Sequence, residues 1–111
     1  MKKKTLLIDL DGVLNEYKGN YDENVLPALK EGALEFLQKL CEKFELVLFS
    51  TRNLQKVTIW VEENNLQGFF SDITNVKKLS YLILDDRCVR FTGDYAKALE
   101  EIENFKVWWR P

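Results

Sequence analysis

Leu6-Leu7-Ile8-Asp9-Leu10-Asp11-Gly12-Val13-Leu14 is the stretch that decides the fold. An apolar run rises out of a basic N-terminus, ends in two carboxylates spaced i, i+2, and breaks at a glycine. The pattern is that of a buried strand delivering acids to its own C-terminal tip. Side chains alternate across a strand, so Asp9 and Asp11 are expected on one side, their Cα atoms roughly 6 to 7 Å apart. Two carboxylates directly after Leu-Leu-Ile are costly to desolvate without a cation or several donors, which makes a metal-assisted site the leading reading. A helix-loop-helix calcium loop fits poorly. Such a loop needs an oxygen ligand where Val13 stands and a glutamate where Asn20 stands.

Composition narrows the class. The chain has 111 residues, 46% of them hydrophobic and 31% charged, which suits one compact domain spanning 1-111 with a core of its own. A formal net charge of -2 does not suggest nucleic acid as a partner, and Lys2, Lys3 and Lys4 form too short a basic run to argue otherwise. No apolar stretch has the length of a membrane span or a signal-peptide core, so a cytoplasmic protein is expected. Cys41 and Cys88 form no CxxC pair, and the chain contains no histidine. Histidine-dependent nucleophilic catalysis and histidine metal sites are therefore excluded, leaving carboxylates, lysines and hydroxyls.

Further along, Pro27 suits a helical first turn, and Leu26, Leu29, Ala33, Leu37, Leu40 and Phe44 recur at spacings of three and four, predicting an amphipathic helix that ends near Lys43. Leu46-Val47-Leu48-Phe49 is a buried-type strand ending in Ser50-Thr51-Arg52-Asn53. Asn53 is an expected N-cap for a helix with Leu54, Val57, Trp60 and Val61 inward. A short third strand is expected at Phe69 and Phe70, with Asp72 to Lys78 irregular. Tyr81-Leu82-Ile83-Leu84 is a fourth strand, again ending in acids, Asp85-Asp86. A brief extended piece at Cys88 to Phe91, a last helix with Tyr95, Ala98, Leu99 and Ile102 inward, and an edge strand at Val107-Trp108-Trp109 complete the expectation.

Strands alternating with helices imply parallel crossovers and a three-layer, Rossmann-like α/β domain, with its ligand site outside the carboxyl ends of the strands. Several carboxylates without histidine form a hard oxygen cage suited to Mg²⁺. Beside it, one aspartate can attack a phosphoryl group while the other hands a proton to the leaving oxygen. The Ser50 hydroxyl and the backbone N–H groups opening the helix at Asn53 are expected to face phosphate oxygens. Lys77 or Lys78 would offset the remaining negative charge.

Together these segments resemble the haloacid dehalogenase (HAD) superfamily. Leu7-Ile8-Asp9-Leu10-Asp11-Gly12-Val13 is similar to its first motif, Leu48-Phe49-Ser50 to its second, Lys77 to its third and Leu82-Ile83-Leu84-Asp85-Asp86 to its fourth, in the family's order. The resemblance implies a phosphatase acting through an aspartyl-phosphate, with Asp9 as nucleophile and Asp11 as general acid and then base. It implies Mg²⁺ held by Asp9, the Asp11 backbone carbonyl and Asp85, with Asp86 as a further ligand or supporting partner. Ser50 would bind the phosphoryl group, with Thr51, Arg52 and Asn53 beside it, and Lys77, or its neighbour Lys78, would stabilise the transferring phosphate. Neither gap where the family inserts a cap is long enough for one here, so the chain resembles the small capless members, whose open sites do not name a substrate. Whether residues 15–21 close over the site is left open by the sequence, and Arg52 is either a substrate clamp or a solvated arginine.

Two rivals remain. A receiver-type phospho-acceptor domain uses similar groups in a different order, with its hydroxyl after a lone acceptor aspartate and its lysine last. A catalytically silent fold binding a phosphorylated ligand or partner keeps the same residues without turnover.

Overall fold

The computed structural model describes residues 2–110; the first and last positions of the expected domain lie outside the described residues. Four strands, β1 (Lys4–Asp9), β2 (Phe44–Phe49), β3 (Phe70–Thr74) and β4 (Leu82–Leu84), form one parallel sheet in the order β3-β2-β1-β4. Helix α1 (Ala33–Leu40) joins β1 to β2, α2 (Leu54–Glu63) joins β2 to β3, and α3 (Tyr95–Glu103) follows β4. The fold is α/β with a Rossmann-like three-layer arrangement. Two helical crossovers step from β1 through β2 to the β3 edge, and the chain then returns to pair β4 on the far side of β1.

Strand alternation sets the core. Leu6, Ile8, Leu46 and Leu48 share one face and are fully buried with Leu37 of α1 and Val57 and Val61 of α2. Leu7 and Val47, on the opposite face, are buried as well, which explains the unbroken apolar runs. Asn53 caps α2 as expected, its side chain accepting from the N–H groups of Gln55 and Lys56. Among the described residues no helix is long and apolar enough to cross a membrane.

Several elements differ from expectation. The first helix begins at Ala33, after Gly32 (φ +87°), and excludes Pro27. Residues 28–30 instead pair with the loop leaving β1: Asn15 and Leu29 form an antiparallel bridge, Glu16 N–H donates to Ala28 C=O, and Lys30 N–H to Leu14 C=O. That pairing uses the backbone groups an upstream helix would need. The third strand runs to Thr74, through residues expected to be irregular, because β2 offers an edge to pair with. Cys88 to Phe91 has no regular structure, and Val107 to Arg110 is a turn closed by Arg110 N–H on Val107 C=O, so the closing edge strand does not form. The last helix exists, but Tyr95, Leu99 and Ile102, expected inward, are exposed.

Candidate active site

The tips of β1 and β4, neighbours in the sheet, bring their acids together. One carboxylate oxygen each from Asp9, Asp85 and Asp86 lie within 4.8 Å of one another. Parallel register makes this possible: Ile8 pairs with Leu84, so Asp9 and Asp85 are the next residues along two adjacent strands. These three acids, with Asp11, Tyr17, Tyr21, Phe49, Thr51 and Arg87, line a cleft of about 260 Å³.

Electrostatics within the cluster are unfavourable for three bare charges. Burial, reinforced by the charges of Asp85, Asp86 and Asp11, pushes the Asp9 carboxyl up to about 8, and burial and Asp85 also raise Asp86. Asp86 Oδ2 is buried and has no hydrogen-bond partner. That oxygen occupies the space a Cβ on Gly12 would need, and Gly12 has φ +81°, so both backbone conformation and packing require glycine there. An all-oxygen donor set with an unpartnered buried oxygen suits a hard divalent cation such as Mg²⁺, with Asp9, Asp85 and Asp86 as the side chains able to hold it.

Asp11 turns elsewhere. Its carboxylate accepts from Arg52 Nε through both oxygens, at 3.1 and 2.9 Å, and from Asn15 Nδ2 at 2.9 Å. The Asp11 carboxylate is therefore outside the three-acid cluster, although it lines the same cleft; the part expected of Asp11 at the metal is that of its backbone carbonyl. Arg52 is neither a solvated residue nor an open clamp. It is 2% exposed, donates through Nη1 to Asp22 C=O at 2.8 Å, and lies over the Tyr21 ring, tying the loop after β1 to the start of α2. Asn15, fully buried, accepts from the N–H groups of Gly12 and Tyr17 and so fixes the turn that presents Asp11.

The phosphate-binding expectations fare differently. Ser50 is buried; its Oγ accepts from Arg52 N–H and its own N–H donates to Thr74 C=O, so the hydroxyl closes a local turn. Thr51 is the hydroxyl that lines the cleft. The N–H groups of Gln55 and Lys56 at the start of α2 are taken by the Asn53 side chain. Lys77 is exposed outside the cleft lining, and Lys78 is paired with Asp72 at the β3 edge. The cation at the cleft wall is Arg87, whose guanidinium faces the Trp109 ring and whose N–H donates to Asp85 Oδ1.

Residues 15–21 supply two walls of the cleft, Tyr17 and Tyr21, and the C-terminal tail braces them. Trp108 Nε1 donates to Gly12 C=O at 2.9 Å, and the Trp109 ring meets Tyr17 edge-on and packs on Gly19. The four spacing between Asp11 and Asn15 was a local signal for one of these supports. The Trp108 contact spans 96 residues and had none.

No family model and no curated protein matches the chain. A solved structure of a conserved protein coded by a locus of Bacteroides thetaiotaomicron is similar, with a TM-score of 0.60 and 24% identity over 96% of this chain and 95% of that one. At that identity the likeness shows the fold alone, and it agrees with the Rossmann-like α/β arrangement.

Proposed function

We propose that the cleft hydrolyses phosphomonoesters with the help of Mg²⁺, as the resemblance to the HAD superfamily implies. The observation that carries this reading is the convergence of Asp9, Asp85 and Asp86 at two adjacent strand tips, one oxygen buried and unpartnered. Bound there, Mg²⁺ would neutralise part of the cluster's charge and so favour both an ionised Asp9 and an incoming phosphate.

Asp9 attacks phosphorus, forming an acyl-phosphate bond as the ester P–O bond breaks, and Asp11, having taken up a proton before substrate binds, gives that proton to the leaving oxygen. Asp11 then takes a proton from the water that attacks the phosphorus of the intermediate, releasing phosphate and restoring the Asp9 carboxylate. Arg52 and Asn15 hold the Asp11 carboxyl in place for both transfers. Thr51 and Arg87, which both line the cleft, meet the phosphoryl oxygens in this reading, in the roles first expected of Ser50 and Lys77. Tyr17, Tyr21 and Phe49 narrow the opening, and excluding water there protects the intermediate.

A second reading, a cleft that binds a cation and a phosphorylated ligand without turnover, is favoured by the inward Ser50 Oγ and by both lysines lying outside the lining. An aryl phosphate and a panel of phosphorylated metabolites, tested with and without Mg²⁺ on the wild type and Asp9→Asn, separate the two. Hydrolysis that requires Mg²⁺ and vanishes in Asp9→Asn is the expected result. Hydrolysis that survives the substitution overturns the mechanism, and Mg²⁺ binding by calorimetry without hydrolysis of any member selects the silent reading.

A further inference from the structure

Residues 88–106 leave the cleft after Arg87 and rejoin the loop beside it where Trp108 donates to Gly12 C=O, and between these ends α3 buries no residue. It carries an exposed apolar stripe: Tyr95, Leu99 and Ile102 recur at i, i+4 and i+7, with the Phe91 ring tilted against Tyr95 and Ile102 also lining a groove with Arg87, Cys88 and Val89, and Tyr95 and Leu99 are 80% and 69% exposed. The molecule is correspondingly extended, with a radius of gyration of 14.9 Å, against about 13 Å for a compact domain of this length. A second apolar patch lies on the β3–β4 return and the outer edge of β4: Val76, Leu79, Tyr81 and Leu82 are all exposed, Leu79 completely. Among the described residues β4 pairs only with β1, so its other edge has no partner strand there.

We propose that this chain forms a two-fold dimer in which α3 of each copy docks on the β3–β4 patch of the other. The charges complement. Glu100, Glu101 and Glu103 accompany the helix stripe, while Lys77 lies within the patch, beside the Lys78–Asp72 pair, and Lys4 caps it with its ammonium 4.0 Å from the centre of the Tyr81 ring. The area suffices as well. Three aromatic side chains at roughly 150–250 Å² each when buried, with five exposed aliphatic ones beside them, offer an area of the order of the about 800 Å² per partner in a stable interface. Because each copy offers both the helix and its receiver, a two-fold axis satisfies both at once and closes the assembly, leaving no free patch for fibre growth. The inference is independent of the chemistry in the cleft.

Sedimentation equilibrium on the full chain, from micromolar to sub-millimolar concentration, tests it. The wild type is expected to dimerise, and Leu99→Glu to raise the dissociation constant roughly thirtyfold or more, as loss of a central apolar anchor does. Lys77→Glu and Glu101→Lys, surface changes that leave the fold intact by circular dichroism, are each expected to weaken the dimer several-fold, as exposed ion pairs do, and together to restore it. A wild type that stays monomeric throughout overturns the proposal, its helix then being free or folded on its own sheet. So does a dimer that Leu99→Glu leaves unchanged, or one that the paired charge reversal fails to restore.

Discussion

The β1–β2–β3 side of the molecule and the β4–α3 side are built to different standards. On the first, Leu37 of α1 and Val57 and Val61 of α2 are buried against four strand residues that are themselves at most 3% exposed. On the second, β4 is three residues long, all three retain solvent contact, and α3 buries nothing. Yet the candidate site takes Asp9 and Asp11 from the first side and Asp85, Asp86 and Arg87 from the second. The packed half holds one set of acids rigidly. The other half brings its acids up to them through one short strand and a tail anchored by Trp108, so charge repulsion at the tips acts on the less supported side.

The largest expected contrast lies in the packing itself. Leu48→Ala, in the central core, should cost about 2–5 kcal/mol in denaturant unfolding, whereas Leu99→Ala, read on dilute monomer, should stay within about 0.5 kcal/mol; equal costs would erase the distinction between the two sides. Next in size is Arg52→Met. Removing the guanidinium leaves the Asp11 carboxylate, Asp22 C=O and the Tyr21 ring without their shared partner, at a cost of about 3 kcal/mol, the range for a broken buried ion pair. Lys77→Met, by comparison, should cost almost nothing.

A smaller effect reads the strand tips directly. Because the folded Asp9 carboxyl is raised from 3.8 to about 8, the folded state holds that proton more tightly than the unfolded chain does. Its stabilising contribution is therefore complete below pH 4 and is lost as pH rises toward 8, with Asp86 shifted in the same direction. Without divalent cations the melting temperature should fall across that window. Added Mg²⁺ should raise it more at pH 8 than at pH 5, since ionised carboxylates bind the cation and protonated ones do not. A Mg²⁺ effect that is flat with pH would break the link between the cluster and cation binding.

Much of this was legible in local pattern. The runs at Leu6 to Ile8, Leu46 to Phe49 and Leu82 to Leu84 read as strands because buried parallel strands need apolar side chains on both faces. The acids at their ends read as a site because a carboxylate at the end of such a run needs a partner. Asn53 was legible as a cap for the same local reason. The first helix was over-read, since the spacing of Leu26, Leu29 and Ala33 fits a helix while the backbone of residues 28–30 pairs with the loop at Asn15. The destination of Lys78, the alternative to Lys77, was hidden because its partner Asp72 lies on a strand that forms only where β2 offers a pairing edge.

The sequence by itself determined the α/β alternation, the parallel sheet it implies and the delivery of Asp9, Asp11, Asp85 and Asp86 to strand tips, because hydrophobic periodicity and chain punctuation act within a few residues. Only the tertiary structure decided that Asp9 joins Asp85 and Asp86 while Asp11 pairs with Arg52, that Ser50 turns inward, and that Trp108 and Trp109 brace the loop beside the cleft. Those outcomes depend on which side chains meet after strands far apart in the chain are set side by side. Local spacing carries no information about that encounter.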